Sequence, residues 1–242
     1  MGNALIKRMV LAWDSDFTKL TPAERQRLEL AEQEIEAGET VSHDEIDWNE
    51  TQSYRNLFPP HGGIDPGKVG INGVNEKDIN LQIAERVKIY LEAADVRVVM
   101  TRETDEGLYD PDASNKKVQD MKRRIALIDD SNTDITVSIH QNSYPEEYVH
   151  GAQVFYYNGS TSGQQLAERI QAQMVEKADP ANSRKIKAND SYYLLKKTEI
   201  PIVIVECGFL SNREEADKLC SADYQDRVAW AIHMGILQYL KQ

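Results

Sequence analysis

The chain has 242 residues, with 28 Lys+Arg against 40 Asp+Glu and a net charge of −12. That length suits one large domain or a domain with an appendage, and no apolar run approaches the roughly 20 residues that span a bilayer. An acidic chain without a basic block is a poor match for nucleic-acid phosphates or an anionic membrane surface, and two cysteines without a CxxC argue against a disulfide framework or a thiolate zinc site.

The N-terminal stretch "MGNALIKRMVLAWDSD" has a basic pair and a few apolar residues, but its apolar run stops at Asp14, so it does not read as a signal peptide. Residues 1–56 hold 6 Lys+Arg and 12 Asp+Glu, half of the charge excess in under a quarter of the chain. Within them "LTPAERQRLELAEQEIEAGE" reads as one charged helix. Thr21 is its N-cap, Pro22 its first helical residue, Glu24 completes a capping box, and Gly38 stops it. Leu28, Ala31 and Ile35 form only a thin apolar stripe. A polar linker with two apolar anchors, Ile46 and Trp48, follows. The sequence thus divides into an acidic helical extension over 1–56 and a larger domain over 57–242.

After residue 60 helices and strands alternate. Ile79, Ile83, Val87, Tyr90 and Leu91 recur at helical spacing, and "VRVVMT" (96–101) is a short strand. A polar loop covers 103–117. Val118, Met121, Ile125 and Ile128 mark a helix; "DITVSIH" (134–140) and "GAQVFYY" (151–157) are strands; Leu166, Ile170 and Met174 mark another helix. "IPIVIVE" (200–206) reads as the most buried strand, and 223–240 as a closing helix. This alternation predicts an α/β fold: a mostly parallel mixed sheet with helices on both faces.

Ligands of open α/β sheets gather at the carboxyl ends of the strands. His140 ends one strand and Glu206 another; His61 heads the glycine-rich "HGGIDPGKVGING" that should follow the first strand; Glu76 opens the next helix. Two imidazoles and a carboxylate make a catalytic zinc shell with a position left for water, and a second carboxylate can take that water's proton. Each residue also has an ordinary reading. His140 could be a hydrogen-bonded strand end, and Glu76 a favourable charge at a helix start. Glu206 stands apart, because a carboxylate after "IPIVIV" is costly to bury without a partner. Strand alternation turns Cys207 to the opposite face, into the core. His233 reads as structural, His43 and His150 as solvated.

The joint pattern of "HGGIDPGKVGINGVNEKDINLQIA", "MTRETD", "RIALIDDSN", "VSIHQNS", "GAQVFYY", "IPIVIVECGFLSNREEADKL" and "YQDRVAWAIHMGIL" resembles the zinc-dependent N-acetylmuramoyl-L-alanine amidases of type 3 from about residue 59 to the C-terminus. "KVGING", "GAQ" and the long loop are most similar to the germination-specific, spore-cortex (CwlD-like) members. The resemblance implies that His61, Glu76 and His140 bind Zn2+ and that Glu206 is the catalytic carboxylate. It further implies peptidoglycan as substrate, hydrolysis between N-acetylmuramic acid and L-alanine, and an extracytoplasmic address in cell wall or spore cortex; a monomer is expected. The family's Arg ahead of the SIH strand corresponds to Arg124, and the Asn five positions on is Asp129 here.

One departure bears on the fold. The family writes an apolar strand and Asp-Pro-Gly directly before the loop histidine, whereas this chain has "SYRNLFPPHGG". Residues 10–49 weakly resemble small antitoxins of the RelB type instead. A second reading follows: an inactive or damaged amidase fold with an antitoxin-like, partner-binding arm. None of the four site residues lies before residue 50, so the sequence predicts that 1–50 are dispensable for the chemistry.

Overall fold

The computed structural model describes residues 65–241 apart from 132 and 199, together with the backbone of residues 8–13. The elements run β1 (Arg8–Trp13), α1 (Glu76–Glu92), β2 (Arg97–Met100), α2 (Lys116–Asp130), β3 (Ile135–Asn142), β4 (Gln153–Tyr157), α3 (Thr161–Gln173) with a π-helical turn (Met174–Ala178), β5 (Lys187–Asn189), α4 (Tyr193–Lys197), β6 (Ile202–Phe209), α5 (Arg213–Leu219) and α6 (Ala222–Leu240). The six strands form one sheet in the order β2-β1-β3-β6-β4-β5. All neighbouring pairs are parallel except β4 with β6. The α/β reading holds, including its mixed sheet.

Alternation along the strands sorts the two faces. Ile135, Val137 and Ile139 of β3 and Val203, Val205 and Cys207 of β6 join the main core. There they meet Ile83, Val87 and Leu91 of α1, Leu166 and Ile170 of α3, and Val228, Ile232 and Ile236 of α6. The close α3–α6 approach depends on Gly235, where a Cβ would come within 2.6 Å of the Ile170 backbone. The other face carries Ile202 and Ile204 and is covered by α4, where the Tyr192 ring meets Phe155 edge-on at 5.4 Å. His140 and Glu206 belong to this second face by the same alternation, at its carboxyl end.

The first strand corrects the sequence reading. "SYRNLFPP" was expected to stand where a core strand should be, and residues 1–50 to be dispensable. Instead Arg8–Trp13 supplies the strand, from within the segment assigned to the extension, and sits between β2 and β3 with Met9 opposite both Val98 and Ile135. A central strand satisfies ladder groups on both of its edges, so its loss would leave both neighbours unpaired. The helix expected over 20–39 and the linker after it lie outside the described residues, as does His43.

The long polar loop is held from beneath. Arg124 is buried and pairs with Asp120, while its Nη1 donates to Thr101 Oγ1 at 3.0 Å. The Leu108 amide donates to the same Asp120 carboxylate. Arg123 adds a two-pronged bond to Asp110, at 2.9 and 2.7 Å. The α2 side chains that face inward therefore include an ion pair, beside the expected Met121 and Ile128.

Candidate active site

Two parallel strands and one helix start meet at the carboxyl edge of the sheet. His140 and Glu206 are register partners on β3 and β6, just before a bulge at His140–Asn142. Both are buried, at 1% and 0% exposure. Glu76, also 0% exposed, is the first residue of α1, and its Oε1 lies 3.0 Å from His140 Nδ1. The same oxygen accepts from the Gln141 amide at 3.0 Å and from Asn80 Nδ2 at 3.3 Å, while Oε2 accepts from the Lys68 amide at 2.9 Å. Gln141 in turn donates to Asn80 Oδ1 at 3.1 Å, tying the strand end to the first turn of the helix.

These contacts set the charge state of Glu76. Burial pushes its carboxyl up, but the hydrogen bond and charge of His140, with the Gln141 and Lys68 amides, outweigh this and hold it below the ordinary carboxylate range. An ionised carboxylate against an imidazole nitrogen is a metal-ligand pair in waiting. Two ligands of one tetrahedral zinc, each roughly 2.0–2.1 Å from it, lie about 3.3 Å apart. The 3.0 Å Glu76–His140 separation is close to that edge, so the pair fits a zinc ion. His61, the third expected ligand, lies outside the described residues. Among the described residues no three His, Cys, Asp or Glu side chains converge on one metal position.

The loop before α1 is built for close approach. The Gly70 amide donates to the Val74 carbonyl at 2.8 Å, Gly73 has a φ of 84°, and the Ile71 amide reaches the Leu210 carbonyl at 2.9 Å. A Cβ at Gly70 would meet Asn72 Oδ1 at 2.8 Å. Beyond β6, "FLSNREE" acts as a clamp. The Leu210 amide donates to the Asn142 carbonyl at 2.8 Å, Ser211 Oγ accepts from the Tyr144 amide at 2.9 Å, and Asn212 Nδ2 donates to the Glu147 carbonyl at 2.8 Å. Asn212 Oδ1 also caps α5 by accepting from the Glu215 amide at 3.0 Å.

Glu215 is a further buried carboxylate, one without a signature in the strand and helix pattern. It is buried, and it accepts from the Phe209 amide at 2.8 Å and the Gly151 amide at 2.9 Å. It thereby joins the end of the Glu206 strand to the entrance of β4. Burial pushes its carboxyl up against the pull of those two amides. The signal was present: an acidic residue three places after a capping Asn faces back over its own helix start. Cys207 sits in the core as expected, its thiol pushed well up by burial and by the nearby Glu206 charge. His233 is buried against Tyr90 and Trp230, and burial lowers its basicity.

Comparison with known proteins agrees with this construction. The model of the N-acetylmuramoyl-L-alanine amidase family, type 3, matches residues 57–238. The germination-specific N-acetylmuramoyl-L-alanine amidase of Bacillus subtilis is 38% identical over 189 residues, which cover 77% of this chain and 79% of that one. The B. subtilis amidase LytC is 32% identical over 188 residues, which cover 76% of this chain but 35% of LytC. Among solved structures, the CwlD amidase from Clostridioides difficile, determined in complex with the GerS lipoprotein, superposes with a TM-score of 0.72 at 39% identity, covering 75% of this chain and 94% of that one. With the family model matched over residues 57–238 and these relatives similar over about three quarters of its length, the chain belongs to the N-acetylmuramoyl-L-alanine amidase family.

Proposed function

We propose that the chain is a zinc-dependent hydrolase of the amide between N-acetylmuramic acid and L-alanine, acting outside the cytoplasm on cell-wall or spore-cortex peptidoglycan. The observation that carries this reading is the register pairing of His140 with Glu206, with the ionised Glu76 against His140. His61, Glu76 and His140 would hold the metal. Bound there, zinc would supply Lewis acidity toward the lactyl carbonyl and bring an attacking water's pKa toward neutrality.

The chain's own residues supply the rest. Glu206, on the strand beside His140, takes the proton of the attacking water and returns it to the leaving L-alanine amine as the C–N bond breaks. The Gln141 amide and Asn80 fix the Glu76 carboxylate, so that it is oriented before substrate arrives. The Leu210–Asn212 clamp keeps the loops after β3 and β6 together at the same edge.

The alternative of a damaged fold with a partner-binding arm rested on a missing core strand, and β1 occupies that place. The test is a pair of variants assayed on purified peptidoglycan. Glu206→Gln keeps its size but cannot accept a proton; the release of L-alanine amino termini falls by about 10²–10⁴ while zinc content stays at the parent level. Parent-like release would move the base elsewhere, and loss of zinc would make Glu206 a ligand. His140→Ala loses stoichiometric zinc by metal analysis; unchanged zinc removes His140 from the shell.

A further inference from the structure

A surface depression of about 500 Å3 lies between the loop leaving β3 and the start of α5, lined by Glu147, Tyr148, Asn212, Arg213 and Glu214. Its size falls within the ~300–1,000 Å3 of small-ligand clefts. Its two walls continue from the strands that carry His140 and Glu206. Because β3 and β6 are parallel, both loops leave from the same edge of the sheet. The depression therefore opens on the edge where the amide would be cleaved.

Its aromatic member is unusual. Tyr148 is 77% exposed, the most exposed of the large apolar side chains among the described residues. Yet the backbone beneath it is fixed on both sides. The Glu147 carbonyl accepts from Asn212 Nδ2 at 2.8 Å, and the His150 carbonyl accepts from Arg184 Nε at 2.6 Å. The Val149 amide closes a turn onto the Glu146 carbonyl, and the Gly151 amide is held by Glu215. An exposed ring on a fixed backbone can receive a flat, partly apolar ligand face with only its own side-chain freedom, and no loop ordering, left to lose.

The charges around it choose the ligand. Arg213 is exposed and makes no ion pair among the described residues, while Glu214 pairs with Lys218 at 2.7 Å. The lining sets the carboxylates of Glu147 and Glu214 against the single guanidinium of Arg213, so the site has no net pull on an anion. The stem peptide of peptidoglycan carries carboxylates; its glycan strand is neutral once the lactyl groups are in amide linkage. A pyranose offers an apolar C–H face to an aromatic ring, and its hydroxyl and acetamido groups can pair with carboxylate, amide and guanidinium groups on the rim.

From this we infer that the depression around Tyr148 is a glycan subsite, in which a sugar ring of the peptidoglycan strand stacks on Tyr148 and is hydrogen-bonded by Glu147 and Arg213. The inference rests on the proposed peptidoglycan substrate but not on catalysis. The probe is therefore binding, to the full chain, of strands of alternating N-acetylglucosamine and N-acetylmuramic acid whose lactyl carboxyls are capped as methyl amides, so that they stay neutral without a peptide, followed by titration calorimetry and by chemical-shift changes. Tyr148→Ala should weaken binding at least tenfold, Tyr148→Phe should keep it within threefold, and Arg213→Ala should fall between them. Unfolding curves that coincide with the parent's show that the fold is intact. Parent-like strand binding by Tyr148→Ala overturns the inference, as does a parent that binds an isolated stem peptide but not the strands. Amide hydrolysis is measured separately. A chain that binds strands through Tyr148 but releases no L-alanine keeps the subsite and refutes the proposed reaction; one that hydrolyses peptidoglycan with strand binding indifferent to Tyr148 does the reverse.

Discussion

Two buried carboxylates, each in the first turn of a helix at the carboxyl edge of the sheet, have opposite fates. Glu76 opens α1 and is held below the ordinary carboxylate range; Glu215, in the first turn of α5, is pushed above it. Both accept two backbone amides. The difference is a directly bonded imidazole: His140 Nδ1 stands 3.0 Å from Glu76 Oε1, whereas His150 acts on Glu215 only through its charge. Two backbone amides and the charge of His150 do not offset the burial of Glu215, whereas two amides plus the hydrogen bond and charge of His140 more than offset that of Glu76. One site is thus suited to holding a metal, the other to tying two loops together.

The largest expected effect separates those roles outright. Glu76→Ala abolishes stoichiometric zinc and hydrolysis together, while Glu215→Gln retains its zinc in metal analysis of the purified proteins. Equal metal loss in both would erase the distinction. Next in size is stability. In Glu215→Gln one amide oxygen can accept one of the two N–H groups, and its NH2 then confronts the other. An unsatisfied buried donor costs about 1–3 kcal/mol, to be read from urea unfolding, with Glu215→Asp at an intermediate value. The smallest effect is a slope against pH in the metal-free protein. Glu215 binds its proton more tightly folded than unfolded, so acidification from neutrality through its raised folded value toward the ordinary value of 4.5 adds stability from this group. Glu76 has the opposite sign: its contribution is complete above 4.5 and is lost as pH falls through its lowered folded value. Unfolding free energies across the acid range should show the parent gaining on Glu215→Gln and losing on Glu76→Gln as pH drops.

Much of this arrangement could be read before the structure. The strand over 134–140, the strand over 200–206 and the helix opening at Glu76 are all present, and their ends bring Glu76, His140 and Glu206 to one edge. Strong apolar runs and regular spacing made them legible. What escaped notice depends on long-range packing. Glu215, Asn80 and Gln141 are polar residues with no periodic signature, and their roles exist only once α1 meets β3 and α5 meets the end of β6 and the entrance of β4. Arg124 fell on the inner face of a helix, where pattern alone predicts apolar residues; Asp120 and Thr101 make its burial tolerable. The short elements β5, α4 and α5 were too brief to carry a period. "LSN" was recognised as a motif, but its work as a clamp on the β3 loop required the distances.

The place of β1 has a consequence for how the chain must fold. This strand is made before both of its neighbours, β2 and β3, and Trp13 lies beside Ile139, more than half the chain away. Parallel pairings between such distant segments form slowly, because a large loop must close before any contact rewards it. Until β3 leaves the ribosome, "RMVLAW" is an apolar segment with two unsatisfied edges, and β2 and β3 share no border without it. The assembly of the edge that holds His140 and Glu206 therefore waits on a strand made long before β3, and the interval before β1 docks is when the protein is most exposed to aggregation.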